Sequence, residues 1–164
     1  MLSPLSKANL YLNIFSFTKV PLIWLCRPKI IVMNDEKVIV KIPLKRRTKN
    51  HLNSMYFGAL AIGADVAGGF LAMSKAQQSG YTISLAFKDV EAQFIKRPEG
   101  DVLFSCDDGK RVDEMLEEAI KSGERVNKTV KIKVTCPSIN EHELMAWFKL
   151  TLSIKVINRH NTES

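Results

Sequence analysis

Charge is nearly absent from one long stretch of an otherwise basic chain. Between Asn50 and Ser74, 25 residues carry no acidic or basic side chain except Asp65 and the neutral His51. Cysteine is scarce as well. Cys26, Cys106 and Cys136 are widely spaced, odd in number and flanked by no ligand pattern. That excludes a disulfide framework and predicts reduced, structural thiols in a cytoplasmic protein. His51, His142 and His160 have no ligand spacing with one another or with the cysteines, so no metal site is expected. A Ser-His-Asp or Cys-His order is missing, and so is a glycine-rich phosphate loop within strand-helix-strand alternation. Lastly, the apolar-rich stretch from Leu10 to Leu25 is interrupted by Asn13, Lys19 and Pro21, too short and broken to span a bilayer. No small-residue cleavage site follows it, and the lone Lys7 is a poor positive leader, so a secretory signal is not expected.

What remains is a chain of 164 residues, long enough for one domain with a substantial core. The net charge of +7 favours an anionic partner. Residues 3–19 read as a helix that Pro21 breaks or redirects. A packed amphipathic helix is expected there, and membrane contact through Phe15, Phe17 and Trp24 beside Lys19 is the weaker alternative. Ile30 to Met33 and Val38 to Ile42 read as a hairpin about Asn34-Asp35-Glu36. After the basic run Lys45, Arg46, Arg47 and Lys49, a helix capped by Asn53 or Ser54 is predicted to run to Ser79 and stop at Gly80.

That helix is apolar nearly all round, which predicts burial. Gly63, Gly68 and Gly69 each cost it about 1 kcal/mol of propensity, which predicts a closely packed neighbouring backbone. Period-two alternation then marks strands at Tyr81–Phe94, Val102–Cys106, Val130–Val134 and Phe148–Val156. A second helix opens at Asp107-Asp108-Gly109 and ends at Gly123, and Glu141-His142-Glu143 reads as the turn between the last two strands. The fold class is α+β, an antiparallel sheet curled round one central helix, preceded by an N-terminal helix.

From about Lys29 to Val156 the chain resembles the hotdog-fold thioesterases, of the phenylacetyl-CoA and 4-hydroxybenzoyl-CoA thioesterase type. In that family an Asn precedes a His-Gly-Gly triplet at the start of the central helix, and an acid follows two turns later. Asn50 matches the Asn, Gly58 the second glycine and Asp65 the acid, whereas Tyr56 and Phe57 replace the histidine and first glycine. Phe94-Ile95-Lys96-Arg97-Pro98 is similar to the Arg-Pro end of the family's third strand. The resemblance implies a single hotdog domain over 1–164: helical extension 1–27, core 28–157 and polar tail 158–164. It also implies sites shared across a homodimer, or a tetramer of such dimers.

On this reading Asp65, Gly58 and Asn50 are the catalytic candidates, and Tyr56, Phe57, Lys96 and Arg97 bind substrate. Gly58 lends a helix N-terminal amide to the oxyanion, and Asp65 activates water or attacks the thioester itself. The substrate is acyl-CoA or an acyl carrier thioester. No cofactor is expected beyond the coenzyme A of the substrate, whose phosphates have Lys45, Arg46, Arg47, Lys96 and Arg97 as candidate receivers. Gly58 and Asp65 lie about 10 Å apart along one helix, so one thioester meets both only if they come from different chains. A non-catalytic acyl-thioester binder is the alternative, with Tyr56-Phe57 closing down turnover. Nucleic acid is not an expected partner, because the cations are not interleaved with aromatics as single-strand binders require. A membrane is not an expected partner either.

Overall fold

The computed structural model describes residues 2–159, so the tail beyond Arg159 lies outside the described residues. The first helix, α1 (Pro4–Lys19), starts where the Ser3 hydroxyl accepts the Ser6 amide, with Pro4 in the first helical position. Pro21 redirects the chain, and it also begins a second helix, α2 (Pro21–Cys26), that closes on Arg27 in the left-handed region. The strands β1 (Lys29–Met33) and β2 (Val38–Ile42) form the expected hairpin, its turn held by the Asn34 side-chain oxygen accepting the Glu36 and Lys37 amides.

The central helix, α3 (Phe57–Gln78), begins later than the sequence suggests. Neither Asn53 nor Ser54 caps it. Tyr56 occupies the cap position, and Asn53 sits at φ 60° inside a turn. The Asn50 side-chain oxygen closes that turn by accepting the amides of Leu52 and Ser54. Gly80, at φ 76°, follows the helix end as expected. By length and composition α3 could cross a bilayer, yet most of it is buried inside this fold.

Next come β3 (Tyr81–Phe94), β4 (Val102–Cys106), α4 (Gly109–Ser122), β5 (Val126–Cys136) and β6 (Asn140–Arg159). The last two strands run longer than their alternation showed. The turn between them is Pro137–Ile139, and Glu141-His142-Glu143 belongs to β6. One antiparallel sheet of six strands results, in the order β1-β2-β4-β5-β6-β3. It curls about α3, which contacts every strand from β2 to β6. This is the hotdog arrangement.

The close neighbours of the helix glycines are side chains, not the backbone expected. A Cβ on Gly63 would stand 2.2 Å from the ring of Phe104, which is fully buried and cannot swing away. One on Gly68 would stand 3.4 Å from Leu150 and Val130, ordinary contact. Gly63→Ala is therefore expected to destabilise the fold by about 1–3 kcal/mol through overpacking. Gly68→Ala, with the alanine gaining up to about 1 kcal/mol of helix propensity, should be neutral or stabilising. Urea unfolding midpoints check the opposite signs. At its far end α3 is pinned to α4 by Lys75, buried and 2.9 Å from both carboxylate oxygens of Asp113.

The two edges of the sheet are treated differently. At β1, the Asn9 side chain on α1 donates to the Ile30 carbonyl and accepts the Ile30 amide, at 2.9 and 2.8 Å. That side chain substitutes for a neighbouring strand. At β3, 14 residues long, no strand among the described residues pairs with the outer side from Ile83 to Phe94.

Candidate active site

Asp65 lies midway along α3 and opens into an apolar groove of about 330 Å³. The floor is α3 itself, with Gly69 one turn on from Asp65. Leu85 and Phe87 of β3 form one wall, and Tyr11, Phe15 and Val20 from α1 and the bend after it form the other. Gly69 keeps the floor open, since a Cβ there would stand 3.6 Å from the Asp65 carboxylate and 3.4 Å from Leu85. Among the described residues nothing donates a hydrogen bond to Asp65 and no cation pairs with it. Burial alone pushes its carboxyl up to about 6. Above that pH it is a desolvated, unpaired base facing a hydrophobic slot.

The groove wall made by α1 and the following bend was not legible in the sequence. A signal was present. Helix α1 is apolar on two faces, and only one can pack on the core.

The start of α3 is the second part of the site. The amides of Ala59 and Leu60 both donate to the Tyr56 carbonyl, at 2.9 and 3.1 Å, leaving those of Phe57 and Gly58 without an acceptor among the described residues. This terminus is held by the Tyr56 amide donating to the Thr48 carbonyl and the Met55 amide donating to the Pro98 carbonyl, both at 2.8 Å. The second bond brings Arg97-Pro98 beside the helix start. Asn50 contributes through the loop, its side-chain oxygen being engaged by the amides of Leu52 and Ser54.

Tyr56 and Phe57 are exposed, with their rings 4.9 Å apart, and Phe57 meets Phe94 edge-on at 6.4 Å. The Tyr56 ring lies over Gly58, its Cε1 2.4 Å from where a Cβ would stand, so the glycine makes room for that ring. Lys96 is engaged by Glu143, whereas Arg97 is exposed with no carboxylate partner among the described residues. Lys45, Arg46 and Lys49 line an open hollow of about 550 Å³ on the loop that leads to α3. Among the described residues, no three His, Cys, Asp or Glu side chains cluster closely enough to hold a metal.

Asp65 and Gly58 thus stand on one face of one continuous helix, about 10 Å apart along its axis. The structure brings Gly58, Tyr56, Phe57 and Arg97 together at the helix start and leaves Asp65 in a separate groove within the same chain.

A further feature at β3 went unseen in the sequence. Val90, Ala92 and Phe94 pair directly with Leu150, Phe148 and Ala146 of β6, so they share the inner face of the sheet with them. Those three partners are buried, yet Val90 is 63% and Phe94 50% exposed. Of the chain's own helix, the Phe57 ring meets Phe94 edge-on and still leaves it half exposed.

Residues 9–152 match the family described as a domain of unknown function, DUF4442. No curated protein matches the sequence. Among solved structures, the chain is similar to PA5026 from Pseudomonas aeruginosa, described as a probable thioesterase, at a TM-score of 0.76 and 20% identity over 96% of this chain and 99% of that one. It is similar to OLEI01261 from Chlorobaculum tepidum, of unknown function, at 0.80 and 15% over 96% and 98%. It is also similar to the thioesterase HI1161 from Haemophilus influenzae, at 0.67 and 14% over 98% and 96%. At these identities the likeness is one of fold.

Proposed function

The chain belongs to the DUF4442 family, and from its thioesterase-like hotdog frame we propose that it hydrolyses an acyl thioester, of coenzyme A or of an acyl carrier protein, at a homodimer interface. The observation that carries this reading is Asp65, an unpaired carboxylate facing a groove shaped for an acyl chain. Asp65 of one subunit takes a proton from water, and the hydroxide adds to the thioester carbonyl. The oxyanion is held by the free amides of Phe57 and Gly58 at the partner's helix start. Collapse breaks the C–S bond, and the thiolate leaves with the proton that Asp65 holds. Direct attack by Asp65 would instead give an anhydride that water then opens.

The oligomer follows from the 10 Å problem and from β3. Its outer edge from Ile83 to Phe94, unpaired among the described residues, and the exposed inner face around Val90 and Phe94 both suit a second copy, whose β3 continues the sheet and whose α3 covers that face. Arg97 and the Lys45, Arg46 and Lys49 hollow are the places for the carrier's phosphates. A cytoplasmic, reducing setting fits three buried free cysteines.

One observation favours the second reading, a binder without turnover: the Tyr56 ring already occupies the space beside Gly58. Incubation with a panel of straight-chain and aryl acyl-CoA esters, following free thiol from pH 5 to 8, separates the two. Hydrolysis by an ionised Asp65 should rise with pH through an apparent pKa of about 6 and then level off. Tight acyl-CoA binding with no thiol released at any pH would leave only the binder.

A further inference from the structure

We propose that the outward side of α1 and α2 is a docking surface for an anionic lipid bilayer. Helix α1 buries Ala8, Leu12 and Ser16 against the core. On its opposite side Leu10, Ile14 and Phe17, spaced four and three residues apart, stand 50%, 56% and 60% exposed. The expectation of a packed amphipathic helix therefore accounts for one apolar face and leaves the other bare.

The stripe does not stop at Lys19. Phe17 meets Trp24 edge-on with ring centroids 5.2 Å apart, and on α2 Leu22 and Leu25 are 61% and 44% exposed. A contiguous apolar patch of this kind on a free surface calls for a partner. The interface argued above lies along β3 and the start of α3, so a second copy is already provided for elsewhere.

Charge selects the partner. The first 34 residues contain Lys7, Lys19, Arg27 and Lys29 and no acidic side chain; Asp35 is the first acid in the chain. None of these four cations is paired to a carboxylate among the described residues, and Arg27 instead caps the Trp24 ring at 3.9 Å. Exposed leucine, isoleucine and phenylalanine beside an indole, flanked only by lysine and arginine, make up the composition of a helix lying in the interface of an anionic membrane. A protein partner would need to bring its own acids, and the hollow of about 550 Å³ beside Trp24, Arg27 and Lys29 is lined largely by Ser6, Asn9, Asn13 and Ser16 and takes in none of the stripe residues Leu10, Ile14, Phe17, Leu22 and Leu25.

The inner side of the same helical segment walls the Asp65 groove through Tyr11, Phe15 and Val20. The bilayer contact does not depend on what that groove holds.

The test is co-sedimentation of the full chain with vesicles of phosphatidylcholine alone and of phosphatidylcholine mixed with phosphatidylglycerol. Binding is expected to the mixed vesicles and to weaken as salt rises. Ile14→Glu combined with Phe17→Glu should cut the bound fraction about tenfold or more. Both side chains are exposed, so the variant should keep the wild-type circular dichroism and thermal unfolding. Lys19→Glu, which leaves the apolar stripe intact, should weaken binding to the mixed vesicles. The proposal fails if neither vesicle is bound, or if the double variant binds as well as wild type. It fails too if the double variant lowers the mass in solution, since the stripe would then be a contact between copies of this chain.

Discussion

Asp65→Asn is expected to remove thioester hydrolysis and, at neutral pH, to make the folded protein more stable. A group acting as general base contributes about 10²- to 10⁴-fold to the rate, and an amide cannot replace it. The stability effect has the opposite sign. Burial raises the Asp65 carboxyl from 3.8 to about 6, so between those pH values the folded state binds a proton that the unfolded chain has lost. Stability therefore falls as pH rises through this window, and the full penalty applies above pH 6. Its upper bound is about 3 kcal/mol, reduced by any water that enters the half-open groove. Asparagine, neutral at every pH, avoids it.

Urea unfolding of both proteins at pH 7 should favour the variant, and the difference should shrink towards zero near pH 4. Equal stability at both pH values would mean that Asp65 gains a partner in the assembled protein and is not the free base described here. Lower activity together with higher stability is the mark of a site held at a cost to the fold.

Composition made Asp65 legible: one carboxylate among 25 residues otherwise free of acids and bases. Its direction was not, because a helix apolar nearly all round gives no sequence cue to which side faces a groove. Strand periodicity placed β1 to β4 closely. The hairpin ends of β5 and β6 were lost because register shifts near Thr135 and Cys136 break the alternation there, and the start of β5 because Asn127-Lys128-Thr129 holds no apolar residue to mark a period. The start of α3 was misplaced because it is fixed by distant partners, the carbonyls of Thr48 and Pro98, and not by a capping side chain nearby. Alternation marked Val90 and Phe94 as strand residues; that they share the inner face with buried partners and yet stay half exposed or more is a fact of three dimensions.

The dimer claim has the sharper consequence. If each site combines Asp65 of one chain with the Gly58 amide of the other, two inactive variants should repair one another when mixed. Gly58→Pro removes the amide hydrogen in the first helical turn, where proline is tolerated. Its ring requires the exposed Tyr56 side chain to move aside. Alone, Gly58→Pro and Asp65→Asn should each be nearly inactive. In a mixed dimer one site carries both defects, while the other pairs an intact Asp65 with an intact Gly58. Equal mixing at random makes half the dimers mixed, each with one good site, so activity should return to about a quarter of wild type after unfolding and refolding together. No recovery would place the whole site within one chain, against the spacing of α3. A second measurement needs no catalysis: the wild type should sediment at twice the 18.5 kDa of the chain. Val90→Lys, placing charge on the bare inner face of β3, should shift it towards the monomer. A monomer that still hydrolyses thioesters at the wild-type rate would refute the shared site outright.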